Sequence, residues 1–467
     1  MKRIGQHAVV IGASMSGLLA ARVLSDFFDT VTLLERDTFP APGDQRKGVP
    51  QGKHAHGLHA RGREILEQMF PIFTQEMAAE GGLALDASQE FRWFANGGYH
   101  QPGTSDLKGL LVSRPRLEAG VRARVLALPN VRAFENCDVP GVTTTEDRAR
   151  VTGVRLVRRA TSSAEEVLTA DLVVDATGRG SRTPAWLKAL GYEQPAEERV
   201  KIDLGYTPCI YRRMPDQLAS RRGIAIAGDP PNGRTGVAMA QECDRWIVTI
   251  GGYAGDFAPL DPQGFLDYAR ELPTPEIYAL IKDAERLTDP VAYRFAASLR
   301  RRYERMARFP DGYLVFGDAI CSFNPVYGQG MTVAALEALV LQDCLAQGSH
   351  ALAPRFFKKA STVVDGPWSV AVGNDLRYPH VEGRRTRMGQ FINWYIGKLH
   401  IAAREDAALS IAFLRVVNMI ASPASLLHPR ISLRVLRGNL RAHVGGAPTT
   451  SAQAPAPAAA RVEAVTS

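Results

Sequence analysis

Ala8-Val-Val-Ile-Gly-Ala-Ser-Met-Ser-Gly-Leu-Leu-Ala-Ala-Arg-Val-Leu24 is followed in this chain by Val31-Thr-Leu-Leu-Glu35. The apolar runs at residues 8–11 and 31–34 are too short for helices and are typical of strands buried on both faces. Residues 18–24 carry Leu, Ala and Val at helical spacing. Strand, glycine turn, helix and a strand with an acidic end is the order of a dinucleotide-binding unit.

Four residues of this unit have a predicted role. Gly12 permits the tight turn, and Gly17 lets the helix approach the strand closely. The helix N-terminus offers free N–H groups and a positive dipole end to a pyrophosphate. Glu35 stands where a carboxylate accepts hydrogen bonds from ribose hydroxyls. Ser14 replaces the glycine usual in the middle of this fingerprint, and serine is small enough to leave the backbone accessible.

The composition is that of a globular protein with more than one core. The 467 residues predict two or three domains, and 45% hydrophobic with 22% charged residues is ordinary for a soluble chain. The net charge of +8 is spread widely, with its densest cluster at Arg300-Arg301-Arg302 and Arg305 beyond. We predict a solvated helix face there and no nucleic-acid partner, because no aromatic interleaving or nucleic-acid motif accompanies the cluster.

Cysteine usage and hydropathy indicate a cytoplasmic protein. The five cysteines are scattered without CxxC spacing, which argues against structural zinc and a disulfide framework. No apolar run reaches the roughly 18 residues of a spanning helix. Residues 409–420 could lie on a membrane surface, but the mixed charges of residues 404–406 and Arg415 within the segment favour packing on the protein body. We therefore expect no membrane contact.

The middle and end of the chain differ in pattern from its beginning. Residues 131–139 and 150–158 alternate apolar and polar residues, as antiparallel strands do. The alternating stretches 223–227, 235–240 and 246–251 predict an antiparallel sheet that forms a substrate domain. Residues 350–442 read as helical, and from Gly445 onward Ala, Pro and Thr predict a disordered tail.

Three glycine-marked strand ends carry the predicted chemistry: residues 12–17, 175–178 and 317–318. All three can converge at the carboxyl edge of one parallel sheet. A nicotinamide site would need only the first, whereas a long ligand with a sugar-alcohol chain and a second ring system would use all three. Asp318 can accept from polyol hydroxyls, and the N–H groups from Gly328 onward open a helix that faces negative charge on the ring. FAD is the simplest such ligand.

A basic loop follows the Glu35 strand. Arg46 and Lys47 are well placed to reach a pyrophosphate or a ribose. His54 and His56 could ligate a metal if they lay on a strand, but no acidic or cysteine partner stands near them, and we expect no metal site. Arg114, at the start of a helix after Ser113, could face the cofactor or cap a neighbouring element; the sequence favours neither.

Several motifs together make the chain resemble FAD-dependent monooxygenases of the p-hydroxybenzoate hydroxylase-like class. Within that class it is similar to the bacterial branch containing the polyether-type polyene epoxidases. The motifs are Gly12-Ala-Ser-Met-Ser-Gly17, Glu35-Arg36, Arg46-Lys-Gly-Val-Pro-Gln51 with His54-Ala-His56, Asp175-Ala-Thr-Gly-Arg-Gly-Ser-Arg182, Gly317-Asp318 and Phe323-Asn-Pro-Val-Tyr-Gly-Gln-Gly-Met331. The similarity runs from about residue 7 to about residue 440.

The resemblance implies an α/β fold with a glutathione-reductase-like Rossmann FAD-binding domain, an inserted antiparallel-sheet substrate domain and a helical C-terminal region. The implied boundaries are 1–88, 105–190 and 300–346 for the FAD-binding domain, 89–104 and 191–299 for the substrate domain, 347–444 for the helical region and 445–467 for the tail. NAD(P)H would reduce FAD, and one oxygen atom of O2 would reach a small apolar substrate.

The resemblance also implies two sets of site residues. The loop residues Asn324, Pro325, Gly328 and Gly330 would act at the flavin ring. Val139 would lie beside the adenine. The cofactor would be bound by Gly12, Ser14, Met15, Ser16, Gly17, Glu35, Arg36, Arg46, Lys47, Arg114, Val139, Asp175, Gly178, Gly317, Asp318, Gly328, Gly330 and Met331.

Some alternatives stay open at this point. Relatives that bind NAD(P)H directly tend to have Ala-Asp-Gly where this chain has Ala176-Thr177-Gly178, so a separate flavin reductase is an alternative to direct reduction. Halogenation ranks low because the chain lacks a Trp-x-Trp-x-Ile-Pro string. A geranylgeranyl-reductase-like enzyme and a flavin-binding redox protein without turnover are the competing functions.

The substrate domain offers candidate walls for a pocket over the flavin ring. They are Phe94, Trp93, Tyr206 and Trp246, and core packing is an equal alternative for each. The sequence offers no placed acid/base pair, which favours epoxidation or hydroxylation of an unsaturated, polyketide- or terpenoid-like secondary metabolite.

Overall fold

The computed structural model describes residues 3–44, 46, 52, 54–159 and 164–444, a mixed α/β chain. The helices are α1 (Met15–Leu24), α2 (Ala60–Met69), α3 (Phe73–Ala79), α4 (Arg114–Leu126), α5 (Thr183–Ala189), α6 (Pro262–Arg270), α7 (Glu276–Ile281), α8 (Gly330–Ala346), α9 (Leu352–Asp375), α10 (Arg387–Ala402), α11 (Ala407–Val417) and α12 (Pro429–Val444). The strands are β1 (Gly5–Ile11), β2 (Phe28–Leu34), β3 (Gly57–Leu58), β4 (Leu83–Asp86), β5 (Phe91–Ala95), β6 (Gly98–Tyr99), β7 (Lys108–Leu111), β8 (Val131–Phe134), β9 (Cys137–Thr144), β10 (Val151–Arg158), β11 (Glu165–Thr169), β12 (Leu172–Asp175), β13 (Glu197–Arg212), β14 (Gly223–Ile226), β15 (Thr235–Gln241), β16 (Arg245–Tyr253), β17 (Tyr293–Arg301), β18 (Tyr313–Val315) and β19 (Cys321–Ser322).

A parallel sheet of order β18-β12-β1-β2-β8 forms the first layer. Its register pairs Ile11 with both Leu34 and Asp175, and Asp175 with Val315. Four strands therefore end level at one edge, as open α/β sheets require of a ligand site. The predicted β1, α1 and β2 are confirmed. Helix α1 packs against this sheet, and α8 packs against both α1 and α2. The small antiparallel sheet β11-β10-β9 packs beside β12.

A second sheet has the order β19-β17-β13-β16-β15-β14-β5-β6. Its strands pair antiparallel except β14 with β5, which is parallel, so the predicted antiparallel sheet is a mixed one. On one face Ile202 and Leu204 join the core of the parallel sheet. On the other face Tyr211 and Trp246 pack with Phe265 of α6 in a separate core. The alternation along β13 thus divides the sheet between two cores.

Residues 131–139 contradict their prediction in part. The segment splits into β8, which lies parallel to β2, and β9, which pairs antiparallel with β10. Four alternating residues at a sheet edge fit either pairing, so the pattern could not distinguish them.

The arginine triplet also contradicts its prediction, because it is a buried strand end and not a solvated helix face. Arg300 is 1% exposed, and its Nη1 lies 2.7 Å from Asp365 Oδ1. Arg301 pairs with Glu197 at 3.0 Å, and Arg302 pairs with Glu198. The carboxylates come from β13 and α9, distant in the sequence, so local patterning could not reveal them.

Helices α9 to α12 confirm the predicted helical region. Leu409 and Leu414 of α11 are buried, so the apolar segment 409–420 packs on the protein as expected. Nowhere in the described part of the chain is a helix both long and apolar enough to cross a membrane. The predicted disordered tail at 445–467 lies outside the described residues, and the division into three domains stays a prediction.

Candidate functional site

The three glycine-marked strand ends meet at the carboxyl edge of the parallel sheet. A Cβ on Gly12, which has φ +95°, would lie 2.8 Å from the carbonyl oxygen of Ala176, and one on Gly17 would lie 1.8 Å from that of Gly12. A Cβ on Gly317 would lie 2.3 Å from Ser16 Oγ. Glycine is required at these three positions, because a side chain at any of them would push the neighbouring segments apart.

Asp318 connects the third strand end to the other two segments. An added Cβ on Gly178 would lie 3.8 Å from Asp318 Cβ, and one on Gly330 would lie 3.7 Å from Asp318 Oδ1. Burial raises the pKa of this carboxyl, while the guanidinium charges of Arg114 and Arg179 oppose the shift. Its two oxygens have no internal hydrogen bond among the described residues and are open to ligand hydroxyls.

The turn before α1 presents unused N–H donors. Ser14 is the N-cap residue, with extended backbone and no side-chain capping bond, so the first-turn N–H groups lack protein partners. Met15 and Ser16 are the first two residues of this turn. Glu35 shapes the turn from the neighbouring strand, since its carboxylate accepts from the N–H groups of Ala13 and Asp37, each at 2.9 Å.

The predicted residues Arg46 and Arg114 lie beside this turn, together with Glu118, which sequence reasoning missed. Glu118 Oε1 lies 3.1 Å from Arg46 Nη2, and its Oε2 lies 3.2 Å from Arg114 Nη2. Arg46 Nη1 also pairs with Glu35 at 2.7 Å, and Ser14 Oγ donates to Glu118 at 2.7 Å. Arg114 therefore faces the site. The four-residue spacing of Arg114 and Glu118 on one helix was the signal that could have identified Glu118.

Both arginines retain unused hydrogen-bonding capacity in this buried cluster. The Nε atoms of Arg46 and Arg114 are buried and have no hydrogen-bond partner among the described residues. Buried guanidinium N–H groups without partners are costly. An anionic ligand at the α1 N-terminus would satisfy them.

The side chain of Asp175 stabilises the turn that follows β12 and does not face the ligand edge. The carboxylate is fully buried and accepts from the Thr177 N–H at 2.9 Å and from Ser181 Oγ at 2.6 Å. It fixes the turn in which Gly178 has φ +75°. Thr177 completes the same turn, because its hydroxyl also donates to Asp175.

The loop before α8 is held by a buried polar network. Asn324 Oδ1 accepts from the Val326 N–H at 3.1 Å, and its Nδ2 donates to Asp375 Oδ1 at 2.9 Å. Tyr327 OH donates to the same oxygen at 2.9 Å. Burial raises the pKa of Asp375 to about 7, opposed by these hydrogen bonds. Sequence reasoning missed Asp375, and nothing in the α9 sequence marks it.

Glycines shape the remainder of this loop. Pro325 opens the single turn after Asn324, and Gly328 closes it with φ +64°. Gly330 begins α8, and Met331 beside it is buried in the main core. The α8 N-terminus therefore points its free N–H groups to the edge that Asp318 occupies.

An aromatic group from the mixed sheet lies near this edge. The His54 ring is buried between Tyr206 and Tyr293, with ring centroids 4.3 Å from each, and neither ring nitrogen has a hydrogen-bond partner in the described chain. Burial, and secondarily His56, lowers the pKa of His54 to about 3, so the ring is neutral. Arg179 extends over the Phe295 ring at 4.6 Å, and Arg301 Nη2 donates to the Arg179 carbonyl at 3.3 Å. The mixed sheet is thereby joined to the glycine edge.

Three further residues were predicted to bind the cofactor: Arg36, Val139 and Lys47. Arg36 is exposed, and its Nε lies 3.7 Å from Asp37 Oδ1. Val139 is the third residue of β9 and not the end of a strand, and it packs against the main core. Lys47 lies outside the described residues.

Two of the four candidate pocket walls pack in a core, which is the alternative that the sequence left open. Trp246 and Phe94 belong to the core on the far face of the mixed sheet. Period-two alternation identifies two faces but not which face meets the site. Tyr206 lies on the near face, and Trp93 packs against Phe413 of α11 with ring centroids 5.6 Å apart.

The residues at this edge fit FAD in their donor set. The α1 N-terminus and the unpartnered guanidinium N–H groups suit a pyrophosphate, while Glu35 and Asp318 suit ribose and ribityl hydroxyls. The space beside Gly178 and Gly330, where an added Cβ would meet only Asp318, leaves the edge free for a long ligand.

The chain is similar to several known proteins in sequence and in fold. No protein-family model matches the chain. The flavin-dependent brominase Bmp2 aligns with a TM-score of 0.64 at 13% identity, covering 95% of this chain and 100% of that chain. The p-nitrophenol 4-monooxygenase PnpA from Pseudomonas putida DLL-E4 aligns with a TM-score of 0.61 at 15% identity, covering 90% and 99%. A kynurenine 3-monooxygenase of Salinispora tropica is 24% identical, over 74% of each chain.

The chain therefore shares its fold with these flavin-dependent enzymes. A relative that matches over most of the chain is protein Rv3254 of Mycobacterium tuberculosis. The two are 34% identical over 453 residues, which is 93% of this chain and 94% of the relative, and they form one family. The relative's name states no activity, so the reaction must be argued from the site.

Proposed function

We propose that the protein is an FAD-dependent monooxygenase that inserts one oxygen atom from O2 into a small apolar, unsaturated substrate. The observation that carries the proposal is the convergence of three glycine-marked strand ends and the α8 N-terminus at one sheet edge. A nicotinamide cofactor would need only the first strand end. A ligand with a pyrophosphate, a polyol chain and a redox-active ring accounts for all of them.

Each segment of the edge has a distinct part in binding. Gly12 to Gly17, with Arg46 and Arg114, would hold the pyrophosphate, and Glu35 the ribose. Asp318 would accept from the ribityl chain, and the loop from Asn324 to Gly330 would hold the ring. The bound FAD would supply two-electron reduction and the activation of O2. The N–H groups at the α8 N-terminus would stabilise negative charge on the reduced ring.

The surroundings support an apolar substrate. Tyr206, Tyr293, Phe295 and the neutral His54 lie on the near side of the mixed sheet and offer mainly aromatic surface. A water-poor site limits the loss of oxidising equivalents to peroxide. Epoxidation or hydroxylation of an electron-rich double bond or ring needs no acid/base pair from the protein, in agreement with this lining.

NADPH or NADH would supply the electrons, either directly or through a separate flavin reductase. Thr177 occupies the position where direct NAD(P)H users of the class tend to carry an aspartate, and it is engaged with Asp175. Bleaching of the flavin by NADPH in the absence of any other protein would establish the direct route. Bleaching only after addition of a reductase would establish the indirect one.

Product analysis under ¹⁸O2 tests the reaction. The purified protein should show a flavin absorption band, and denaturation should release free FAD. The product formed from an unsaturated polyketide- or terpenoid-like substrate should contain one labelled oxygen atom. Gain of two hydrogens and no oxygen would instead assign a geranylgeranyl-reductase-like activity. A flavin that cycles without product from any unsaturated substrate would assign a redox protein, and bromide added to the assay would reveal halogenation.

A further inference from the structure

Helix α10 exposes large apolar side chains to solvent. Phe391 is 48% and Trp394 is 58% exposed, and their ring centroids lie 5.8 Å apart. Met388 and Ile392, on the same helix, are exposed as well. Single exposed apolar residues are ordinary, but four within two turns of one helix form a patch that requires an explanation.

Helix α12 carries a second apolar stripe. Leu433, Leu436 and Leu440 are each between 53% and 57% exposed, and their spacing of three and four residues places them on one face. The opposite side of the helix is packed, since Val435 is buried and a Cβ on Gly438 would lie 2.6 Å from Ala402 Cβ. The stripe is therefore an outward face of a docked helix.

The two patches adjoin each other. Tyr395 OH donates to the Leu426 carbonyl at 2.7 Å and lies 3.4 Å from Ser432 Oγ, while Asn439 Nδ2 donates to the Lys398 carbonyl at 2.9 Å. The Phe391 ring centroid lies 6.5 Å from that of Tyr395, which links the α10 patch to these contacts, and the exposed Leu427 and Leu433 directly follow Leu426 and Ser432 in the sequence. We call this surface the α10–α12 face: Met388, Phe391, Ile392, Trp394, Leu427, Leu433, Leu436 and Leu440.

Unpaired arginines border the α10–α12 face. Five exposed arginines form no ion pair with any residue that the structure describes; they are Arg384, Arg387, Arg430, Arg437 and Arg441. Arg434 is the exception on α12, because it pairs with Asp406 at 2.8 Å. Helix α12 itself contains no acidic residue. An apolar stripe with cationic flanks is complementary to an anionic phospholipid surface.

We propose that the α10–α12 face binds the surface of an anionic phospholipid bilayer. Its apolar side chains enter the boundary between headgroups and acyl chains, and its arginines contact lipid phosphates. The helices lie in the plane of the membrane and do not cross it, in keeping with the absence of a spanning helix among the described residues. The surface differs from the segment at 409–420 considered in the sequence, which is packed on the protein.

A second copy of the chain is a poorer occupant of this face. A two-fold interface would bring two copies of α12 together, each carrying Arg430, Arg437 and Arg441, and α12 contains no carboxylate to compensate this positive charge. The proposal also stands apart from the proposed reaction, since lipid binding requires neither FAD nor turnover.

Co-sedimentation with vesicles tests the proposal on the full-length protein. We expect the protein to pellet with vesicles of phosphatidylcholine containing 30% phosphatidylglycerol at 0.1 M NaCl, and at least tenfold less with phosphatidylcholine alone. The double variant Trp394→Glu with Leu436→Glu should lose at least tenfold in partition, because both side chains are exposed and their replacement leaves the fold intact. Arg437→Gln with Arg441→Gln should weaken binding and reduce its salt dependence.

The matched control is Leu260→Glu, which replaces a half-exposed apolar residue remote from these helices and should bind vesicles as the parent does. Failure of the parent to pellet with anionic vesicles, or equal pelleting of parent and W394E/L436E, would overturn the proposal. A dimer in sedimentation equilibrium that W394E/L436E converts to monomer would assign the face to a second copy and would also overturn it.

Discussion

Gly12 and Gly330 border the same site, but a side chain would meet different surroundings at each. At Gly12 the positive φ and the Ala176 carbonyl, 2.8 Å from an added Cβ, mean that any substitution strains the chain itself. At Gly330 the added Cβ would meet only Asp318 Oδ1 at 3.7 Å, and the backbone is helical. A variant at Gly330 therefore reports on a ligand, whereas one at Gly12 reports on folding.

Gly330→Val should slow flavin reduction at least tenfold while leaving the melting temperature of the FAD-free protein nearly unchanged, because the added methyl groups occupy space reserved for the ring. Stopped-flow reduction and thermal unfolding measure the two effects. Gly373→Ala, in the interior of α9 with open space around it, is the control and should reduce at the parent rate. Equal reduction rates for Gly330→Val and the parent would show that this loop does not hold the ring.

Asp375 predicts a pH dependence of stability. Burial raises its pKa to about 7, whereas the unfolded chain releases this proton near pH 4. Between these two pKa values the folded state binds one more proton than the unfolded chain. The free energy of unfolding therefore falls as the pH rises from about 4 to about 7. Between pH 5 and pH 8 the contribution of this group should fall by about 2 to 3 kcal/mol.

Asp375→Asn should remove this dependence, since an amide oxygen can still accept from Asn324 and Tyr327 without a titrating proton. Denaturant unfolding at pH 5 and pH 8 provides the comparison with the parent. An equal loss of stability in parent and variant over this range would mean that Asp375 is already ionised at pH 5.

The buried guanidinium of Arg300, at the end of β17, yields a prediction at the scale of elements. It relies on Asp365 of α9, 2.7 Å away, and on Glu304 at 3.8 Å. Asp365→Ala should cost about 2 to 4 kcal/mol in the free energy of unfolding, because it leaves a buried charge without its nearest partner. Asp343→Ala, which removes an exposed pair with Lys359, should cost less than about 1 kcal/mol. Equal costs would mean that solvent reaches Arg300.

Elements governed by local pattern were predictable from the sequence. The run from β1 to β2 follows from two apolar tetrapeptides and a glycine turn, and α8 follows from an apolar run after a glycine loop. The role of Arg300 to Arg302 did not follow, because charge pattern along the chain carries no information about partners on β13 and α9. Whether Trp246 and Phe94 line the site or pack in a core also did not follow, because alternation defines two faces of a sheet without showing which of them meets the site. Glu118, in contrast, could have been predicted from its four-residue spacing from Arg114 on one helix.

At the scale of the whole molecule, the candidate site exists only when distant segments meet. A fragment ending at residue 190 contains β1, β2 and β12 but lacks β18, α8 and the loop from Asn324 to Gly330. We expect it to bind FAD at least a hundredfold more weakly than the full chain, measured by quenching of flavin fluorescence. In the full chain, FAD at 100 times its dissociation constant should add about 2.7 kcal/mol to the free energy of unfolding. Equal FAD affinity of fragment and full chain would place the ring-binding loop outside the site.

The order of the parallel sheet has a consequence for the nascent chain. β1 lies beside β12, β12 beside β18, and α1 packs against α8, so several neighbours of the first βαβ unit emerge from the ribosome long after it. At roughly 5 to 20 residues per second, synthesis from α1 to the end of α8 takes on the order of tens of seconds. Throughout that interval the apolar side of α1, including Leu18 and Leu19, lacks the helix that covers it. Chaperones that hold unfolded polypeptide on the ribosome have their longest opportunity to bind at this helix.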